Sequence, residues 1–131
     1  MSKQLISAWY GKLSDAERNL PLLIVAGVAY TPRAVYDEVM RDSPIGNQLQ
    51  TLVERGSFGT SYSDEQSIAK LRLTEIMRTK PEKPLFATLT LDGQRTFTPS
   101  ELLQEIQKET DVGRRWISNE SEHMRRIVSV R

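Results

Sequence analysis

Residues 30–50, YTPRAVYDEVMRDSPIGNQLQ, return as residues 97–117, FTPSELLQEIQKETDVGRRWI, without a gap. Between the identical positions the chemistry is kept, as where Ser43 corresponds to Thr110. Similarity at a fixed offset is typical of a supersecondary unit that is used twice. We therefore predict an internal duplication with these two segments as its copies. The identical pairs, all at an offset of 67 residues, are Thr31 with Thr98, Pro32 with Pro99, Glu38 with Glu105, and Gly46 with Gly113.

Each copy predicts two helices that meet at a corner. Thr31 and Thr98 are suitable N-caps, and the proline after each suits the first helical position because its missing N–H would be unpaired there. Thr98 and Glu101 also have the spacing of a capping box. Ser43 and Thr110 follow with a second cap, so a second helix should begin almost where the first one ends.

An apolar run that begins Pro-Leu precedes each copy. The first run, Leu22 to Tyr30, is short and bounded by Pro and Gly, which favours a strand; a kinked, buried helix through Val28 is the alternative. The second run, PLFATLTL from Pro84, leads through Asp92-Gly93 into QRTF and predicts a hairpin.

These elements predict an α+β fold. Two related strand–helix–corner–helix units, about 21–55 and 85–128, should surround a small antiparallel sheet. A length of 131 residues, with 38% hydrophobic and 27% charged side chains, is typical of one globular domain, so residues 1–131 are expected to form a single domain.

A loop and a connector separate the copies. The Gly-rich stretch 56–62, GSFGTSY, should be a loop. Ser63 to Gln66 has the pattern of a helix cap, which favours a helix through Met77, although AKLRLT at 69–74 also alternates like a strand.

Charge and residue usage exclude several classes of function. The formal net charge is +1, so any polyanion site would have to be local. The absence of cysteine excludes disulfides, thiolate nucleophiles and cysteine-ligated metals. The most apolar run, Leu20 to Tyr30, is shorter than the roughly 20 residues that a bilayer requires. The N-terminus does not resemble a secretory signal, so we expect a cytoplasmic protein with no membrane partner.

The repeated glycines and glutamates each admit two interpretations. Glycine within a helix costs roughly 1 kcal/mol relative to alanine, so Gly46 and Gly113 predict a close backbone approach at a tight corner. The alternative is an anion site at the helix N-terminus. Paired acids such as Glu38 and Glu105 can serve acid–base chemistry, but neither has a histidine or cysteine near it in sequence. A helix surface or a hydrogen bond to a neighbouring cap explains them better.

The second copy also resembles a helix-turn-helix. Residues 114–131 carry five arginines against Glu120 and Glu122, a local charge of +3. Basic side chains there could contact phosphates, and an asparagine could contact a base edge. The first copy has Asn47-Gln48 in place of the first two arginines, so a solvated basic face is the competing interpretation. The candidate nucleic-acid contacts are Arg114, Arg115, Asn119, Arg125, Arg126 and Arg131.

Candidate protein contacts lie in the Gly-rich loop. If that loop is exposed, Phe58 and Tyr62 are suitable anchors for a partner, since aromatic residues are favoured at interfaces. Alternatively, they fold back over the core. The only histidine, His123, is expected on an exposed helix face rather than as a general base.

The sequence lacks a recognisable catalytic, metal-binding or cofactor-binding set. We therefore expect a non-enzymatic protein–protein interaction or assembly module that binds a protein partner or a second copy of itself. The alternative is a nucleic-acid-binding protein that uses the second copy and the basic C-terminus.

Overall fold

The computed structural model describes residues 2–61, 63–91 and 93–128, with only the backbone of Ser2 and Thr90. The described chain is mixed helix and sheet, which confirms the α+β prediction. Its elements are, in order, α1 (Ser2–Gly11), α2 (Asp15–Arg18), β1 (Leu23–Val25), β2 (Val28–Tyr30), α3 (Pro32–Met40), α4 (Pro44–Arg55), α5 (Asp64–Arg78), β3 (Phe86–Thr90), β4 (Gly93–Phe97), α6 (Pro99–Lys108) and α7 (Asp111–Val128).

The predicted caps begin the first helix of each unit. The hydroxyl oxygen of Thr31 accepts a hydrogen bond from the backbone N–H of Ala34 at 3.2 Å. Thr98 does the same for Glu101 at 3.3 Å, and the Glu101 carboxylate accepts the backbone N–H of Thr98 at 3.0 Å. The capping box predicted for the second copy is thus confirmed.

A left-handed residue turns the chain at each corner. Asp42 has a φ of 56° and Glu109 a φ of 53°, and these two residues occupy equivalent positions in the two copies. The next residue caps the second helix: Ser43 Oγ accepts the N–H of Gly46 at 3.0 Å, and Thr110 Oγ1 accepts that of Gly113 at 3.2 Å. The same local geometry therefore produces both corners.

The first apolar run differs from the prediction. Leu22 to Tyr30 is not one strand but a tight hairpin, in which Leu23 lies opposite Tyr30. The chain reverses because Ala26 and Gly27 both have positive φ, at 52° and 76°. The kinked-helix alternative for this run is wrong, since β1 and β2 form there.

The second hairpin forms as predicted. In it, β3 pairs antiparallel with β4, and Phe86 lies opposite Phe97. The hairpins remain separate two-stranded sheets, so the expected single sheet is wrong. Each unit is therefore a hairpin followed by two helices.

One buried hydrophobic cluster includes residues of both units and of α1 and α5. Helix α5 packs against α6, α7 and β1, whereas α1 packs against α3 and α4. The indole N–H of Trp9 donates to the carbonyl of Ile127 at 2.7 Å, which joins α1 to the end of α7. Among the described residues, no helix combines the length and the apolar character needed to cross a membrane.

Candidate functional site

The corners account for both repeated glycines and both repeated glutamates. A Cβ on Gly46 would overlap the carbonyl oxygen of Glu38, and one on Gly113 would overlap that of Glu105. The close backbone approach predicted for these glycines is therefore present.

The repeated glutamates bind the corner caps. The Glu38 carboxylate accepts the hydroxyl of Ser43 at 2.6 Å, and the Glu105 carboxylate accepts that of Thr110 at 3.0 Å. Since each carboxylate also lies beside its own helix corner, the pair is explained by structure, as the cap interpretation predicted.

The basic residues of α7 are only partly free to bind an anion. Arg114 forms an ion pair with Asp111 at 2.9 Å. Arg125 donates from Nε and Nη2 to the two carboxylate oxygens of Glu65, at 2.7 and 2.9 Å. The Glu65 hydrogen bonds raise the pKa of Arg125 above its ordinary value. Two of the predicted phosphate contacts are thus already paired within the chain.

The other predicted nucleic-acid contacts are more open. Arg115, Asn119 and Arg126 are exposed. Exposed Glu122 lies on the same helix, so the surface of α7 is mixed in charge. Arg131 lies outside the described residues.

The two aromatic anchors predicted in the Gly-rich loop have different outcomes. Phe58 is only 7% exposed and belongs to the core, so it covers the core instead of facing a partner. It folds inward because its carbonyl accepts the N–H of Ile24 at 2.8 Å, which holds the loop against the edge of β1. Tyr62 lies outside the described residues.

Three of the five exposed large apolar side chains among the described residues lie instead on the second hairpin. Leu85 is 41% exposed, Leu89 is 82% exposed, and Leu91 is fully exposed. Successive strand residues point to opposite faces, so Leu89 shares one face of β3 with exposed Ala87, while Leu85 and Leu91 flank the strand at its two ends. We call these four residues (Leu85, Ala87, Leu89 and Leu91) the β3 stripe.

The opposite face of the same hairpin is anchored to the body of the protein. Phe86 contacts Trp116 of α7 edge to face, with ring centroids 5.4 Å apart, and lies 6.1 Å from the buried ring of Phe97. The guanidinium of Arg95 lies 4.5 Å above the Phe97 ring. The base of the hairpin is therefore fixed, while the β3 stripe faces outward.

In the first hairpin, the surface that is equivalent to the β3 stripe is covered by other parts of the chain. Leu22 and Leu85 are equivalent, since they donate to the carbonyls of Tyr30 and Phe97 at 2.9 and 2.8 Å. Leu22 is fully buried, because α4 and α5 contact β1 and the Phe58 loop pairs with its edge. Among the described residues, no backbone segment pairs with the outer edge of β3.

The difference arises where the second helix of each unit ends. Gly56 ends α4 with a φ of 67°, and the N–H of Ser57 then donates to the carbonyl of Leu52 at 2.9 Å. This left-handed glycine cap turns the chain back toward β1. The equivalent position in the second unit is His123, where α7 continues to Val128. No returning segment therefore covers β3 within the described chain.

The sequence contained a signal for this stripe. In PLFATLTL the leucines alternate with Phe86, Thr88 and Thr90, and such alternation usually places the leucines inside. Phe86 is anchored inside instead, because its ring packs against Trp116. The contact between Phe86 and Trp116 therefore determines which face of β3 points to the solvent. The local sequence pattern does not reveal this contact, because Trp116 is distant in sequence.

A buried ionic cluster joins the two halves of the chain. The sequence did not predict it. The Arg72 side chain is 0% exposed. It donates to Glu17 of α2 at 2.5 Å, to Glu120 of α7 at 2.7 Å, and to the carbonyl of Pro21 at 3.2 Å. Nε2 of His123 lies 2.9 Å from the second Glu17 oxygen. We call Arg72, Glu17, Glu120 and His123 the Arg72 cluster.

Electrostatics in this cluster favour a charged Glu17. Partial burial alone would raise the pKa of Glu17, but the hydrogen bonds and positive charges of Arg72 and His123 outweigh it and lower that pKa. The buried polar atoms of the cluster have partners, since the described residues contain no buried side-chain N or O atom without a hydrogen bond. The cluster therefore joins α2, α5 and α7 through ion pairs.

No protein-family description, curated protein or solved structure matches this chain.

Proposed function

We propose that this chain is a non-enzymatic interaction module that assembles with another polypeptide through the β3 stripe. The observation that supports the proposal is the exposure of Leu85, Leu89 and Leu91 on and beside β3, in a hairpin that Phe86 anchors to the body of the protein. Exposed apolar patches on small proteins mark interaction sites. A strand edge without a neighbour adds unpaired backbone groups that a second chain can bind.

The location of the module belongs to the same proposal. A cytoplasmic setting is supported by the absence of cysteine, which suits a reducing compartment.

The test compares two pairs of charge substitutions. Leu89→Lys with Leu91→Lys should abolish association of the purified chain, with itself or with a defined partner, as measured by light scattering after size exclusion. Thermal unfolding should change little, because both side chains face solvent. The control is Leu71→Lys, which charges a leucine that is 42% exposed on α5. The proposal would be contradicted if the double variant associated as fully as the unmodified chain. It would also be contradicted if Leu71→Lys reduced association as much as the double variant does.

Nucleic-acid binding is the second candidate. The observation that favours it is the corner between α6 and α7, which presents exposed Arg115 and Asn119 on the second helix of the pair. This is the arrangement that a helix-turn-helix uses in a major groove. Fluorescence anisotropy with a labelled mixed-sequence DNA duplex at low and near-physiological salt tests it.

A further inference from the structure

We propose that the occupant of the β3 stripe is a second copy of this chain, joined by antiparallel pairing of the two β3 edges about a two-fold axis at Thr88. The inference rests on the proposed function and specifies its partner. It starts from the duplication: in the first unit the N–H of Ile24 donates to the Phe58 carbonyl, so the edge of β1 is paired. The equivalent edge in the second unit lacks such a segment in the described chain.

The polar groups at the β3 edge point in the required direction. Leu22 corresponds to Leu85, so Ile24 corresponds to Ala87. Because the N–H of Ile24 points away from β2, that of Ala87 points away from β4. Within the ladder, which begins at Phe86, every second residue directs its peptide groups to the same side, so Leu89 presents its own to the free edge as well. Leu85 lies before the ladder, and its N–H turns inward to Phe97.

A symmetric register uses the whole stripe. With Thr88 opposite Thr88 of the second copy, Ala87 lies opposite Leu89, and Leu85 meets Leu91 beyond the two ends of the paired strands. Directly opposed side chains in such a ladder are about 5 Å apart at Cβ, close enough for apolar contact. Ala87 and Leu89 of the two copies then exchange backbone hydrogen bonds, and the six leucines of the two stripes pack against one another along the paired edge.

Charge supports the same register. The stretch 84–91 carries no ionisable side chain, so nothing along the paired edge repels its copy.

The edge of β4 does not offer an equivalent solution. Pairing two β4 strands about their middle would place Arg95 against Arg95 of the second copy, and like charges directly opposite each other destabilise a ladder. Helix α6 also contacts β4. Natural edge strands are usually protected by lysine, proline or a bulge, and β3 has none of these between Phe86 and Leu89.

Single-cysteine cross-linking tests the register directly, because the chain has no cysteine of its own. Thr88→Cys lies on the two-fold axis and should form a disulfide-linked dimer under mild oxidation. Gln94→Cys is the matched control on β4 of the same hairpin. Across four strands its copies would be about 14 Å apart, which exceeds the roughly 7 Å limit between Cα atoms for a disulfide. It should remain a monomer on a non-reducing gel.

The oligomeric state of the unmodified chain provides a second measurement. Sedimentation equilibrium should give twice the 15.0 kDa chain mass. Ala87→Pro should raise the dimer dissociation constant roughly tenfold or more, because proline removes the outward N–H in both copies. It leaves the β3–β4 ladder paired, since proline is tolerated where the N–H faces outward. Circular dichroism establishes that each variant is folded.

The outcomes separate the inference from the proposed function. Cross-linking at Thr88 but not at Gln94, with a dimer mass, supports the two-fold register. A monomer at every concentration overturns the inference; if a different protein then binds in a way that Leu89→Lys with Leu91→Lys abolishes, the proposed function stands alone. A monomer without such a partner overturns both. Equal cross-linking at Thr88 and Gln94, or assembly beyond a dimer, overturns the inference as well.

Discussion

Arg72 and Glu17 form an ion pair at 2.5 Å between α5 and α2, and the arginine side chain has no exposed surface. The guanidinium also binds Glu120, so it joins both acidic side chains to one buried donor. Buried ion pairs contribute little net stability relative to well-packed apolar residues, but removing one partner leaves the others uncompensated.

The first prediction concerns this pair. Arg72→Met should lower the free energy of unfolding by about 3–5 kcal/mol, because Glu17 and Glu120 would keep their charges without a cation. Urea unfolding followed by circular dichroism measures the change. The control is Arg78→Met on the same helix, which removes an exposed ion pair with Glu75 and should have little effect. A similar small effect at Arg72 would show that the cluster does not hold the halves together.

The second prediction concerns pH. Since Arg72 and His123 lower the pKa of Glu17 in the folded state, the unfolded chain binds its proton at a higher pH. The stabilisation is therefore fully present above the ordinary value of 4.5 and is lost as the pH falls through the folded pKa. Glu17→Gln should be less stable than the unmodified chain at pH 7, and this difference should shrink below the ordinary value.

The control for the pH prediction is Glu75→Gln, which removes an exposed carboxylate. Its unfolding free energy should stay close to that of the unmodified chain at both pH values. A Glu17→Gln difference that does not depend on pH would assign the effect to packing rather than to ionisation.

The third prediction concerns the helix corners. Gly46→Ala and Gly113→Ala should each lower the free energy of unfolding by about 1–3 kcal/mol, because the new Cβ would overlap a backbone carbonyl that cannot move freely. Gly11→Ala is the control: a Cβ there has no neighbour within 4 Å, so the substitution should be neutral or stabilising. Tolerance at Gly46 and Gly113 would mean that the two helices can separate at the corner.

The corners also show how much of the fold the sequence could predict. Thr98, Pro99 and Glu101 act on backbone groups within a few residues, so their pattern predicted the start of α6 correctly. The glycine in the first turn of each second helix predicted that another backbone segment lies close to it, but did not identify which carbonyl that would be. Such features are local, which is why both copies could be recognised from residue type and spacing.

Long-range packing decided what the sequence could not predict. Phe58 is buried because its loop pairs with β1, and no local pattern contains that contact. Arg72 is buried because Glu17 and Glu120, which are distant in sequence, bind its guanidinium. The β3 stripe faces solvent because Phe86 packs against Trp116 instead. In each case the decisive partner is distant in sequence.

The fourth prediction concerns the turn of the first hairpin. Ala26 has a φ of 52°, a conformation that costs an L-residue roughly 1 kcal/mol or more and glycine much less. Ala26→Gly should therefore raise the free energy of unfolding by about 0.5–1 kcal/mol. Gly27→Ala, at a φ of 76°, should lower it by a similar amount. Two effects of the same sign would contradict the proposed turn strain.

The fifth prediction tests the nucleic-acid alternative. Arg114 and Arg125 are paired with Asp111 and Glu65, so we expect weak binding of a mixed-sequence DNA duplex that is lost between about 50 and 150 mM salt. Fluorescence anisotropy measures this. Tight binding at the higher salt would instead favour the helix-turn-helix interpretation. In that case Arg114→Ala with Arg115→Ala should weaken binding and reduce the salt slope by about 2, because two phosphate contacts are removed. An unchanged slope would place any DNA contact away from the start of α7.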